Sequence, residues 1–100
     1  MASRTGRDEA LAKAADLRRV RAEVVAAVAD GAVALDAVLD RSTGEPMVAD
    51  IKILTVLEKV EGVGKVRARR LLEAVGIDES TRIGRLDADR RHRLLRELEA

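Results

Sequence analysis

Cysteine is absent from this 100-residue sequence, as are phenylalanine, tryptophan and tyrosine, and proline and histidine occur once each, as Pro46 and His92. Without cysteine there is no disulfide framework, thiolate metal site or sulfur nucleophile. Without aromatic rings there is no side-chain platform for unpaired bases, which weighs against single-stranded nucleic acid and loop-specific RNA as ligands. His92 stands among arginines, with neither cysteine nor a second histidine to join it, so it reads as a solvated helix residue rather than a base or a ligand. The carboxylates are spread along helical segments as partners for arginine, which leaves paired acid–base chemistry no visible site. No apolar run is long enough to span a membrane or to act as a secretory signal, and there is no internal repeat or low-complexity tract. No catalytic residue, metal, cofactor or small-molecule substrate is therefore expected.

What is present favours small helices. Ala, Val and Leu supply most of the apolar content, and the missing aromatics argue against a strand-rich fold. The length suits one domain with a modest core. The net charge of +1 conceals an asymmetry: residues 1–50 carry seven basic and nine acidic side chains, hence −2, and residues 51–100 carry twelve and nine, hence +3. The second half is the better face for a polyanion, and binding must come from local clustering rather than bulk charge. Duplex phosphates fit these limits.

The densest clustering follows a glycine turn. Val60-Glu61-Gly62-Val63-Gly64-Lys65-Val66-Arg67-Ala68-Arg69-Arg70-Leu71-Leu72 reads as one helix ending, a tight turn, and a second, basic helix beginning. A helix N-terminus presents unpaired N–H groups and the positive end of the helix dipole, so it can hold a phosphate. Gly62 and Gly64 let backbone approach it closely. A nucleotide-binding P-loop is excluded: Lys59 stands near where its first glycine belongs, Val66 replaces the magnesium-binding hydroxyl, and the preceding run looks helical. The plain alternative is a turn that merely joins two packed helices.

Residues 1–7 read as a flexible, frayed tail. From Asp8 to Asp30 there are strong helix formers and no Gly or Pro, with Leu17, Val20, Val24 and Val28 on one face and Gly31 as a stop. Arg18, Arg19 and Arg21 form a basic cluster there, balanced against Asp16 and Glu23. A short second helix is predicted over Val33–Asp40, and Arg41 to Ala49 is predicted to be a loop. Asp50 is predicted to cap a third helix running to Lys59 or Val60. The fourth helix should run from Gly64 or Lys65 to Val75, with Ala68, Leu71, Leu72 and Val75 inward and Gly76 as a left-handed cap against which Ile77 packs. Asp78 to Asp87 is a second connection carrying Arg82, Gly84 and Arg85, anchored by Ile83 and Leu86. Asp87 then caps a fifth helix over Ala88–Leu98, with Leu94, Leu95 and Leu98 inward.

In this order the features resemble the actinobacterial integration host factors, small nucleoid-associated proteins with a helix-two-turn-helix core. Arg18-Arg19-Val20-Arg21-Ala22-Glu23-Val24 resembles the family's basic first helix, and Ile51-Lys52-Ile53 through Leu57-Glu58 the helix before its hairpin. Gly62-Val63-Gly64-Lys65-Val66-Arg67-Ala68 resembles the signature turn and Thr81-Arg82-Ile83-Gly84-Arg85-Leu86 the second, arginine-bearing turn. The likeness covers roughly residues 16–98 and is that of a divergent member. Glu61 stands where the family usually has Pro, Gly84-Arg85 reverses the usual Arg-Gly order, Asp87 replaces a Gly, and Val25 to Asp30 lack the usual first-helix cations.

The expectation is thus an all-α chain, with a long N-terminal helix and a short second helix followed by a three-helix helix-two-turn-helix core. Its parts are a tail over 1–7, a helical arm and loop over 8–49, and the core over 50–100. A monomer that binds double-stranded DNA with little sequence preference, through phosphates and the minor groove, is expected; the resemblance further implies that it bends or compacts DNA in the cytoplasmic nucleoid and supports phage integration, a DNA recombination. The expected DNA-binding residues are Gly62, Val63, Gly64, Lys65, Val66, Arg67 and Arg70 at the hairpin, Arg82 and Arg85 at the second turn, and Arg18, Arg19 and Arg21 on the first helix. RNA or ribosome binding through the same fold is a rival, weakened by the acidic Glu97-Leu98-Glu99-Ala100 end. A protein-interaction module that has lost DNA binding is another, and it requires an exposed patch of valines between Val24 and Val38.

Overall fold

A computed structural model describes residues 2–100, with side chains from Gly6 onward. Six α-helices and one 3₁₀ turn, joined by turns and short extended stretches, make up the described residues, and the only β pairing among them is an isolated bridge between Lys52 and Arg82. The first helix, α1, runs Ala2–Ala29. Ala2–Arg7, expected as part of a tail, are its opening turns, because the single Gly6 costs only about 1 kcal/mol against Ala and nothing else there breaks a helix; Met1 lies outside the described residues. Gly31 ends the helix region at φ +74°, with the Gly31 N–H donated to the Val28 carbonyl and the Ala32 N–H to that of Ala27. Helix α2 (Leu35–Arg41) begins slightly later than the sequence suggests.

The segment before the hairpin differs most from expectation. Residues predicted to form a loop contain a one-turn helix, α3 (Pro46–Ala49), opened by Pro46, whose fixed φ and missing N–H suit a first helical position. Asp50 does not cap the next helix: it closes α3, donating its N–H to the Pro46 carbonyl at 3.1 Å. The chain then runs extended through Ile51 and Lys52 and pairs with the second connection. The Ile53 N–H donates to Thr81 O at 3.0 Å and the Ile83 N–H to Ile51 O at 2.8 Å. Helix α4 is consequently only Ile53–Leu57. Ile51 and Ile53 are buried and Lys52 between them is exposed, the alternation of a strand rather than a helix.

The rest follows the sequence closely. Helix α5 spans Gly64–Val75 and ends at Gly76, which is left-handed at φ 76° and ψ 32°; the Ile77 N–H reaches back to Leu72 O at 2.8 Å and its side chain is buried. A 3₁₀ turn covers Ile83–Arg85. Helix α6 (Ala88–Glu99) is capped by the Asp87 carboxylate, which accepts the Arg90 N–H at 2.8 Å.

One apolar cluster joins these elements. Val24 and Val28 of α1 share it with Leu35, Val38 and Leu39 of α2, Val48 of α3, Ile53, Val56 and Leu57 of α4, Leu72 of α5, Ile83, and Leu94 of α6. Val24, Val28 and Val38 are therefore spent in the protein's own core, Val33 packs against it and Val25 is half-buried, so the exposed patch of valines required by a protein-interaction module is not there. The cation-poor end of α1 has the same explanation, since that end packs inward. Its other end, from Gly6 to Lys13, is exposed throughout. This helix gives the molecule its length in overall extents of 55 × 26 × 24 Å.

Candidate nucleic-acid interface

The hairpin between α4 and α5 is built from two left-handed glycines, Gly62 at φ +81° and Gly64 at φ +70°. A Cβ at either would meet nothing within 4 Å, so the requirement is conformational rather than spatial. Between them the Val63 side chain turns into the core, and its N–H donates to Val60 O at 3.0 Å. Val63 thus has no amide left for an anion. The donors that remain are those of Gly64, Lys65 and Val66, in the first turn of a twelve-residue helix that has no side-chain cap. Lys65 and Val66 both face solvent, Val66 at 65% exposure.

The bridge between Lys52 and Arg82 forms a ridge beside this hairpin, with a cleft on each flank. The first cleft, about 320 Å³, lies between α1 and the ridge and is lined by Leu17, Arg21, Met47, Asp50, Ile51, Lys52, Thr55 and Arg82. The second, about 480 Å³, lies toward α5 and is lined by Lys52, Leu54, Thr55, Glu58, Lys65, Arg69, Glu79 and Ser80. Lys52 borders both. The result is a band of cations running from Lys65 across Lys52 and Arg82 to Arg21, drawn from four separate stretches of chain.

The predicted site residues divide by what they touch. Among the described residues, no carboxylate pairs with Arg18, Arg21, Lys52, Lys65, Arg70 or Arg85, and all six are exposed. Arg19 is engaged locally, with Asp16 at 3.2 Å and Glu23 at 3.4 Å. The Asp16 hydrogen bond, followed by the Glu23 charge, raises its guanidinium above the ordinary value. Arg69 pairs with Glu79 at 3.1 Å across the second cleft. Arg67 turns away from both, donating to the Gly62 and Leu98 carbonyls at 3.3 Å each. Arg82 donates to the Asp50 carbonyl and lies 3.6 Å from its carboxylate. At the foot of the second cleft Asp78 is held below the usual carboxylate range, first by the Ser80 hydroxyl and then by the Ser80 N–H, an Asx-type turn that fixes the approach to Arg82. On α6, Arg91 bonds Asp40 of α2 at 3.1 Å and serves packing.

Lys52 is the residue that sequence reasoning left out. It sits in a run that reads as helix, where it and Lys59 look alike as exposed lysines. The Ile-Lys-Ile alternation was the available signal.

A helix–extended–helix–turn–helix chain with a cationic ridge beside a glycine hairpin is a recognisable class. The S13-like H2TH domain matches residues 28–98. The integration host factor of Streptomyces coelicolor (strain ATCC BAA-471 / A3(2) / M145) is 37% identical over 91 residues, which are 91% of this chain and 85% of that protein. The structure of sIHF bound to an 8-base-pair palindromic DNA superposes with a TM-score of 0.80 at 36% identity, over 85% of this chain and 96% of that one. The chain belongs to the actinobacterial integration host factor family.

Proposed function

We propose that this protein binds duplex DNA without catalysis, with little sequence preference, and bends or compacts it in the nucleoid. The observation that carries the reading is the band from Lys65 to Arg21, made continuous by Lys52 and free of carboxylate partners except at Arg82. The likeness to a family member seen on DNA supports it. The N–H groups of Gly64, Lys65 and Val66 hold one phosphate, with Lys65 adding charge. Arg70, at the flank, and Arg18 and Arg21, on α1, meet phosphates further along. Arg82 and Arg85 enter or border the minor groove, where the narrow, negative channel favours arginine. Contacts of this kind position the protein and leave base edges unread. The protein acts as a monomer on each site.

The test is binding to a short mixed-sequence duplex across a range of salt. Wild type should lose affinity steeply as salt rises, each phosphate contact adding about 0.9 to the slope of log K against log salt. Lys65→Glu should bind roughly tenfold more weakly with a shallower slope. Its fold should be unharmed, because an acidic residue suits the first turn of a helix. Equal binding by the two proteins would remove the hairpin from the interface.

Asp50 supplies a prediction of opposite sign. Its carboxylate is the one negative group in the first cleft and it lies beside Arg82. A phosphate there must displace or tolerate it. Asp50→Asn keeps the backbone acceptor for Arg82 and should tighten DNA binding about threefold at low salt, by removing like-charge repulsion of a few tenths of a kcal/mol or more. Unchanged or weaker binding in the same titration would mean that DNA does not reach this cleft.

A further inference from the structure

We infer that Arg67 is a positioning residue, a strut that sets the hairpin's shape from the end of α6, rather than a contact to phosphate; this rests on the DNA-binding reading above. Arg67 follows Lys65 and Val66 directly and belongs to the basic run, so charge alone would count it with the ligand-facing residues. Its guanidinium goes elsewhere. Nη1 donates to the carbonyl of Gly62, the left-handed residue that opens the turn, and Nη2 donates to the carbonyl of Leu98.

Both acceptors are of a kind that needs a donor. Gly62 O belongs to the turn just ahead of α5, and Leu98 O lies in the last turn of α6, where carbonyls lack intrahelical partners and the helix dipole is negative. A planar, forked cation fits two such carbonyls at once, and an ammonium on a flexible stem does not reproduce that geometry. The contact to Leu98 spans 31 residues of sequence, so it fastens the chain's last helix to the glycine turn. A Cβ at Gly62 or Gly64 would touch nothing within 4 Å, so no side chain packs over that face of either glycine. Apart from the buried Val63 and its bond to Val60, the Arg67 fork is the one side-chain brace on the hairpin among the described residues. Its positive charge still lies near the site, while its donors are occupied.

The experiment compares wild type, Arg67→Lys and Arg67→Gln in three measurements on the full chain: binding to a mixed-sequence duplex at several salt concentrations, hydrogen exchange without DNA at the Val63 amide, which the hairpin holds on Val60 O, and the melting temperature. A strut predicts that both variants bind roughly 3- to 10-fold more weakly at every salt concentration. The salt slope should stay near that of wild type, hairpin exchange should be faster, and the melting temperature should move little. Arg67→Lys folding and binding like wild type, while Arg67→Gln loses about one unit of slope, would make Arg67 a phosphate contact and overturn the inference. Unaltered hairpin exchange in both variants would overturn it as well. If wild type itself fails to bind duplex at low salt, the DNA reading falls, and the exchange measurement still decides whether Arg67 holds the hairpin.

Discussion

Lys52→Glu is expected to weaken duplex DNA binding about 100-fold at low salt, the largest effect of any single charge reversal in the band. Three features of the structure lead there. Lys52 borders both clefts, so a reversed charge repels phosphate on each side of the ridge. No carboxylate neutralises it among the described residues, so its whole charge is available. Its place is set by main-chain bonds of its neighbours, Ile53 N–H to Thr81 O and Ile83 N–H to Ile51 O, and by ordinary extended dihedrals, φ −66° and ψ 135°. The substitution therefore changes charge and leaves the fold alone. The slope of log K against log salt should fall by about one to two, because one phosphate loses its cation and meets a like charge instead. Lys59→Glu is the matched control: Lys59 is also an exposed lysine, past the end of α4, but lines neither cleft. It should bind within about twofold of wild type, as for a rim charge outside the interface. Lys52→Glu behaving like Lys59→Glu would mean that bulk charge, and not this ridge, draws the protein to DNA.

The contrast between Lys65 and Lys52 marks how far the sequence could be read. The hairpin was legible because its chemistry is local. Two glycines that need positive φ, a buried valine between them and a complete i, i+3, i+4, i+7 stripe from Ala68 to Val75 leave few other conformations. Gly76 and Asp87 were legible for the same reason, each acting on neighbours within a turn. The ridge was not, because it joins residues 30 apart in the chain. Asp50 is a sound helix cap by local rules, and Ile53, Leu54 and Leu57 fit a helical stripe. Tertiary pairing with residues 81–83 overrode that preference and moved the helix start to Ile53. Pairing of arginines was equally invisible. Arg67, Arg69 and Arg70 look alike in the sequence, yet one braces a carbonyl pair, one meets Glu79, and one faces solvent with no carboxylate partner among the described residues.

Gly84→Ala is expected to destabilise the fold by about 1–3 kcal/mol, the usual range for one methyl forced into filled space. That lowers the melting temperature by roughly 4–8 °C per kcal/mol in a domain of this size. Gly84 is not among the glycines at positive φ, so the reason is space. A Cβ at Gly84 would lie 2.8 Å from the Ala49 Cβ and 3.3 Å from the Ala49 carbonyl oxygen. The glycine lets the 3₁₀ turn at Ile83–Arg85 pack directly on the end of α3. That seating has a functional side. Asp50, next to Ala49, holds Arg82, and Arg82 forms the bridge that presents Lys52. Pushing the turn off α3 should disturb both arginine and lysine, so DNA binding should weaken along with stability. The decisive comparison is a double-mutant cycle with Ala49→Gly, which removes the methyl that the new one would strike. Ala49→Gly alone should cost about 1 kcal/mol through helix propensity. Combined with Gly84→Ala it should recover part of the missing stability, a coupling of about 0.5–3 kcal/mol between touching residues, and should restore DNA affinity toward wild type. Thermal melts in which the two substitutions simply add would show that Gly84 is not required by its approach to Ala49, and the seating of the second turn on α3 would need another cause.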